Sequence, residues 1–142
     1  MEVAALITWV VTALGGFVLL GTWISRGGMR QREAGASRFP PGLIFGHFLL
    51  AAAGLLLWIV YLATDAAALR WVALAILVVV ALLGFTMAAR WLQDRRAPVA
   101  AGGASPARPP EQHFPVAVVV LHGLLAATTL VLVLLVALGA GS

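Results

Sequence analysis

Four long apolar runs constrain the fold of this chain more than any other feature of its sequence. They cover residues 3–24, 43–62, 69–92 and 116–138, and each can cross about 30 Å of hydrocarbon as a helix. With a mean hydropathy of +1.06 and 63% hydrophobic residues, the chain carries more apolar surface than a water-soluble domain of 142 residues buries. We therefore predict an all-α, polytopic membrane protein: a single membrane domain, 1–142, with four transmembrane helices in an up-and-down bundle.

The arginines predict the orientation of the four helices. All nine basic residues are Arg: four lie between the first and second runs, four lie at or beyond the end of the third run, and only Arg70 lies in the short second connection. Because Arg-rich loops stay in the cytoplasm, both longer loops are predicted to be cytoplasmic and both termini to face outward. Abundant Ala, Gly, Leu and Arg, without Lys or Asn, suggest a high-GC bacterial genome, and the predicted location is a bacterial plasma membrane.

The residue types that the chain lacks exclude several classes of site. Without Cys there is no disulfide, thiolate metal site or iron–sulfur cluster, and without Lys there is no P-loop or Schiff base. The five acidic residues fall near or outside the predicted membrane surfaces, which leaves no paired carboxylates inside the bundle for hydrolysis or phosphoryl transfer. Basic residues beside a membrane indicate contact with anionic lipid and not with nucleic acid.

Local patterns predict loops, anchors and packing faces. Residues 93–114, rich in Ala, Pro and Gly, are predicted to form a flexible cytoplasmic loop. Thr8, Thr12 and Gly16 recur every four residues on the first helix, which we interpret as a packing stripe. Aromatic side chains near the ends of the runs are interpreted as anchors in the headgroup region: Trp9, Trp23, Trp58, Tyr61, Trp71 and Trp91.

The chain also contains an internal repeat. "RFPPGLIFGHFLLAAAGLL" and "HFPVAVVVLHGLLAATTLV" both carry Phe-Pro, six residues, His, one free position and Leu-Leu-Ala-Ala, and "GFVLLGTW" matches "GFTMAARW" in the preceding helices. Residues 1–62 and 69–139 are therefore predicted to be two parallel hairpin repeats, related by an axis along the membrane normal. The repeat places His47 and His122 at equal depth, about two turns inside the cytoplasmic face, on helices that form a diagonal of the bundle.

Titratable side chains at this depth in a membrane are costly and suggest a function. Two imidazoles reaching inward from opposite corners can complete the coordination of a haem iron, which takes its other ligands from the porphyrin. Arg26, Arg38 and Arg90 would then pair with the propionates. Small residues on the histidine faces, or beside the histidines, would leave room for the macrocycle or let the helices approach: Gly46, Ala51, Gly54, Gly123 and Ala126.

Two other interpretations of the histidine pair stay open. A zinc or copper site is one of them, but zinc normally takes four ligands, and the helices offer no carboxylate or cysteine. His113, just outside the fourth helix, adds at most a third ligand. The other interpretation is structural: both rings are satisfied by backbone carbonyls, Thr hydroxyls or headgroups, and the duplication copied a useful histidine without any cofactor.

The pattern resembles the four-helix core of membrane b-type cytochromes, in which the second and fourth helices supply the haem-ligating histidines from opposite corners. The resemblance covers the four spans and is carried by His47 and His122. It implies a single haem b on the cytoplasmic side. The two-haem members place a second His about four turns along the same helices, where this chain has Tyr61 and Val136.

The sequence therefore predicts a mono-haem electron-transfer protein, or a subunit with that role, and not a stand-alone enzyme. Beyond the lipid bilayer, its candidate partners are membrane quinone, a larger respiratory or redox complex, and further copies of the chain. The alternative is a non-catalytic four-helix accessory or scaffold subunit of a membrane complex, without a cofactor.

Overall fold

A computed structural model describes residues 1–33, 37, 39–96 and 109–140, and every regular element within those ranges is helical. Four helices, α1, α3, α4 and α5, are long and apolar enough to cross a membrane, as the sequence predicts. A short helix, α2, and a 3-10 helix lie in the two longer connections. The elements are α1 Glu2–Ser25, α2 Gly28–Glu33, α3 Pro41–Thr64, α4 Ala67–Arg96, the 3-10 helix Pro110–His113 and α5 Val116–Ala137.

Local sequence explains where the long helices begin and end. Pro41 stands in the first turn of α3, where its missing N–H has no intrahelical acceptor to lose. The same helix ends at Asp65, which adopts a left-handed conformation with φ of 54°. Gly27 and Gly139, with φ of 81° and 82°, follow α1 and α5 in the region that glycine adopts without strain.

The four long helices form a closed ring. Helix α1 packs mainly against α5, and α3 mainly against α4, while α4–α5 and α1–α3 contacts complete the circle. Helices α3 and α5 consequently lie on one diagonal. We call the end where α1 and α4 finish the long-loop end, and the end with the Asp65–Ala66 connection the short-loop end.

The outer surface of the ring is apolar. Large hydrophobic side chains are exposed along every long helix, including Leu56, Leu82, Phe85 and Leu124, each at least 61% exposed. Such a surface is costly in water and favourable in hydrocarbon. Only a small share of the residues of each long helix is buried against the other helices. This is expected of a bundle whose outer surface faces lipid.

Two clusters of buried side chains fill the interior, one at each end of the bundle. The short-loop cluster includes Trp9, Trp58 and Tyr61, and the long-loop cluster is built on Trp23, Phe39, Ile44 and Trp91. Of the six aromatic residues interpreted as headgroup anchors, only Trp71 is exposed, and the other five are at most 6% exposed. A Trp near the end of a helix thus packs inward here, because a four-helix bundle of small residues needs large rings to fill its ends.

Hydrogen bonds fasten each end of the bundle. At the short-loop end the Tyr61 hydroxyl donates to the Glu2 carboxylate, and Trp58 Nε1 donates to the Glu2 carbonyl at 3.4 Å. At the long-loop end Trp23 Nε1 donates to Ser37 Oγ at 3.4 Å, and Ser37 donates to the completely buried Glu111 carboxylate at 3.1 Å. The 3-10 helix is thereby tied to the end of α1.

The predicted loop 93–114 is only partly described by the structure. Its first four residues belong to α4, which runs to Arg96, and the 3-10 helix Pro110–His113 occupies its far end. Residues 97–108 lie outside the described residues. Within the described part, Gln112 Nε2 donates to the Asp94 carbonyl at 3.4 Å, which joins the 3-10 helix to the end of α4.

We predict that Gly28→Ala destabilises the long-loop end. A Cβ at Gly28 would overlap the indole of Trp23, which is completely buried, so the ring or the start of α2 must move, at a cost of about 1–3 kcal/mol. The midpoint of thermal unfolding in detergent measures the effect. Gly42→Ala is the control, because a Cβ there meets no atom within 4 Å. Equal midpoints for the two variants would contradict this packing.

Candidate functional site

The two histidines of the repeat meet at the centre of the bundle. His47 on α3 and His122 on α5 each lie six residues after the first residue of their helix, about 9 Å from the long-loop end. Their ring centroids are 6.3 Å apart, and the ring planes are inclined at 54°. Both side chains are half-buried. The predicted encounter of the two imidazoles across the diagonal is thus found in the structure.

Each imidazole is held by a backbone carbonyl of a neighbouring helix. His122 Nδ1 lies 2.9 Å from the carbonyl oxygen of Thr12 on α1, and His47 Nδ1 lies 3.0 Å from that of Val80 on α4. A carbonyl oxygen can only accept, so Nδ1 is the protonated nitrogen in both rings. In the neutral imidazole, Nε2 then carries the free lone pair. Both rings are therefore prepared to act as ligands or acceptors through Nε2.

Each ring also rests against a glycine of the helix that holds it. A Cβ added at Gly16 would lie 3.2 Å from His122 Cε1, and one added at Gly84 would lie 3.3 Å from His47 Cε1. Gly15 is a little farther away, at 3.5 Å from His122 Nδ1. The two rings thus pack closely on backbone that carries no side chain.

The contacts of the two histidines match in sequence. Val80 follows Thr12 by 68 residues, and Gly84 follows Gly16 by the same interval, while the two histidines are 75 residues apart. These are the intervals between the paired motifs of the predicted repeat. The acceptor carbonyl and the glycine against each ring therefore occupy corresponding positions of α1 and α4.

The spacing of the rings excludes a direct hydrogen bond between them. Because an imidazole nitrogen lies only about 1 Å from its ring centroid, a centroid separation of 6.3 Å keeps nitrogens of opposite rings at least about 4 Å apart, beyond the range of a hydrogen bond. A metal ion bonded to a nitrogen of each ring at about 2 Å would need the two nitrogens near that lower limit, pointing toward each other.

No third side chain of metal-ligating type joins the pair within the described part of the chain. Groups of three or more His, Cys, Asp or Glu that could hold a metal ion are absent from those residues. His113 lies in the 3-10 helix, where its Nδ1 is 3.2 Å from the Pro109 carbonyl. A metal between His47 and His122 would therefore find no third His, Cys, Asp or Glu ligand among the described residues.

The small residues predicted around the pair differ in their surroundings. Ala51 and Ala126 lie one turn beyond the histidines and are half-buried. A Cβ at Gly46 or Gly123 would meet no atom within 4 Å, so the glycines in close contact with neighbouring groups are not these two. Gly54 is buried, and the indole of Trp9 fills the space beside it, 3.0 Å from where a Cβ would lie.

The predicted arginines lie at the long-loop end where the structure describes them. Arg26 follows α1 directly, and Arg90 lies in the last two turns of α4, both with exposed side chains. Arg38 lies outside the described residues. The two described arginines thus share the end of the bundle nearest to the histidine pair.

Hydroxyl groups distinguish the surroundings of His122 from those of His47. Thr129, two turns beyond His122, lies 3.0 Å from the Thr8 hydroxyl on α1, and Thr12 donates to the Thr8 carbonyl at 2.7 Å. The predicted packing stripe of α1 therefore faces α5. Val80 and Gly54 stand at the corresponding positions near His47, so that side is apolar.

An open groove of about 260 Å³ lies beside His122 on the outer surface, between α1 and α5. Its other lining groups are apolar side chains and Gly15. His122 is consequently the one polar residue among those that line this groove.

Sequence reasoning missed the groups that hold the two rings. The carbonyls of Thr12 and Val80 carry no side-chain signal. Gly16 and Gly84, in contrast, begin the two copies of the Gly-Phe motif, so the repeat already paired them. The sequence did not indicate that these two glycines contact the imidazoles, because they lie on the helices that carry no histidine.

Comparison of the chain with protein-family models, with curated proteins and with solved structures gave no significant match in any of the three. The functional argument therefore rests on the geometry of the histidine pair.

We predict that both imidazoles carry their proton on Nδ1. The measurement is ¹⁵N NMR of histidine-labelled protein at neutral pH, in which Nδ1 should show one-bond coupling to a proton and Nε2 should not. Single His47→Gln and His122→Gln variants assign the signals. Protonation on Nε2 in either ring would contradict the carbonyl contacts, since the carbonyl oxygens cannot donate.

Proposed function

We propose that this protein is a membrane electron carrier, or an electron-transferring subunit, that holds one b-type haem between His47 and His122. The observation that supports this most is the meeting of two imidazoles across the diagonal with a centroid separation of 6.3 Å. Bis-imidazole ligation leaves no open iron position, so the chemistry supplied by a bound haem is transfer of one electron.

The donor set of the site fits axial ligation. An axial imidazole binds through one nitrogen and usually donates its other N–H to a carbonyl or carboxylate, which fixes the ring and its tautomer. Here the Thr12 and Val80 carbonyls hold the two Nδ1 atoms, and Nε2 remains for the iron. No further protein ligand is needed, which suits a chain without cysteine.

Other residues of the chain have defined tasks in this proposal. The long-loop cluster around Trp23 and Trp91 keeps water away from the pair at the near end, and a water-poor surrounding favours the less charged state of a redox centre. Arg26 and Arg90 lie at the same end and are candidates for pairing with propionates. Trp9 limits the space available toward Gly54.

The contacts of the two imidazoles and of Trp9 also fit a second function. Both imidazoles already have a hydrogen-bond acceptor in the protein, and the indole of Trp9 fills the space beside Gly54. These are the features of a cofactor-free bundle in which the histidines fasten α3 to α4 and α5 to α1. In that case the protein is an accessory subunit of a larger membrane complex.

The proposal places the protein in a bacterial plasma membrane, as two parallel hairpin repeats, with the long-loop end in the cytoplasm. Six described arginines near the long-loop end support this orientation by the positive-inside rule: Arg26, Arg30, Arg32, Arg90, Arg95 and Arg96. Among the described arginines, only Arg70 lies at the opposite end. Membrane quinone, a larger redox complex and further copies of the chain remain the proposed partners.

We predict that the two ends label from opposite sides of the membrane. The chain has no cysteine, so Ser25→Cys and Ala66→Cys each introduce a single exposed thiol without any background. In intact spheroplasts a membrane-impermeant maleimide should modify the cysteine at position 66 and spare that at position 25. After lysis both should react. Labelling of position 25 in intact cells would reverse the proposed orientation.

We predict that protein purified from haem-replete cells shows a Soret band and a sharp reduced α-band. His47→Ala and His122→Ala should each lose both bands, because one remaining imidazole cannot hold the iron on two sides. His113→Ala is the control and should keep them, since His113 bonds within its own loop. A colourless parent protein, with normal assembly of both histidine variants, would favour the accessory function instead.

A further inference from the structure

Gly16 and Gly84 each lie directly against one of the two imidazoles. We infer that Gly16 and Gly84 are the positioning residues of the histidine pair, because each uncovers the helix carbonyl to which a histidine bonds. The inference concerns how the rings are held and does not itself require a cofactor; its haem readout rests on the proposed function.

Each glycine lies about one helical turn after the residue whose carbonyl holds the imidazole. Gly16 lies four residues after Thr12, and Gly84 lies four residues after Val80. In an α-helix the N–H of residue i+4 donates to the carbonyl of residue i. Each of these carbonyls therefore already accepts its helical hydrogen bond from the glycine N–H, and accepts the imidazole N–H with its second lone pair.

The direction of a helical side chain determines what a residue at position 16 or 84 would cover. A Cβ tilts toward the helix N-terminus, and the side chain covers the turn that precedes its own Cα. A side chain at position 16 would thus lie over the Thr12 carbonyl, and one at position 84 over the Val80 carbonyl. Glycine at these positions leaves the carbonyls open to a ring from the next helix.

Each ring also lies close against the helix that holds it. The Nδ1···O distances are 2.9 Å for His122 and 3.0 Å for His47. An added Cβ at 3.2 or 3.3 Å from Cε1 is tighter than ordinary van der Waals contact. The ring must then shift, and a shift lengthens or bends the hydrogen bond that fixes its tautomer.

The two glycine–imidazole contacts are separate, so each can be tested alone. Gly16 contacts His122 and Gly84 contacts His47. An alanine at one glycine should therefore disturb one imidazole and leave the other as a reference for correct folding. Gly46 and Gly123, next to the histidines in sequence but with no atom within 4 Å of an added Cβ, provide matched controls.

The experiment compares Gly16→Ala, Gly84→Ala, Gly46→Ala and Gly123→Ala in the full-length chain. In ¹⁵N NMR, Gly16→Ala should change the Nδ1–H signal of His122 and not that of His47, and Gly84→Ala should do the reverse. The two control variants should change neither signal. This readout applies whether or not the protein carries haem.

Where the parent protein carries haem, Gly16→Ala and Gly84→Ala should each lower haem retention by about 10-fold, as is usual for losing a group that orients a ligand. Unchanged imidazole signals in both variants, or equal changes in the controls, would overturn the positioning role. A parent without haem, but with the selective imidazole changes, would overturn the proposed function and leave the positioning role standing.

Discussion

A carbonyl inside a helix has a second lone pair, and the centre of this bundle depends on its use. A half-buried imidazole N–H between apolar helices needs an acceptor from the protein, since an unpaired buried donor is costly. The carbonyls of Thr12 and Val80 supply it. These two hydrogen bonds join α5 to α1 and α3 to α4, the two helix pairs of the ring with the most extensive contact.

The interior has three layers, and the two histidines with their hydrogen bonds form the middle one. Below the histidines lies the cluster of Trp9, Trp58 and Tyr61, and above them the cluster of Trp23 and Trp91. The end clusters can be packed with large rings because the middle layer, with Gly16 and Gly84, lets the helices and imidazoles approach. The half-buried histidine layer thus lies between two aromatic layers, with the open groove beside His122 on its outer side.

Much of this arrangement could be predicted from the sequence, and the remainder could not for identifiable reasons. Apolar length predicts the four helices, and the repeated Phe-Pro…His pattern predicts that His47 and His122 meet across a diagonal. The contacts of each ring lie on another helix, and no local pattern tells which neighbour a helix will favour. Gly46 was assigned to the site as the neighbour of a histidine in sequence. Adjacent helical positions point about 100° apart, and a Cβ there would meet open space.

The carbonyls and glycines that contact the two imidazoles lie at corresponding positions of the predicted repeat. This correspondence bears on the function of the histidine pair. A single structural histidine needs one acceptor, and either half of the bundle would supply it alone. Here a backbone acceptor, a glycine and an imidazole occur together twice, and in both rings Nδ1 is the nitrogen that bonds to the carbonyl. The surroundings nevertheless differ, because Thr12 and Thr129 occupy helix positions near His122 that correspond to Val80 and Gly54 near His47. In the proposed function the two imidazoles would share one bound atom while each is held by its own neighbouring helix, which a structural role in one half of the bundle would not require.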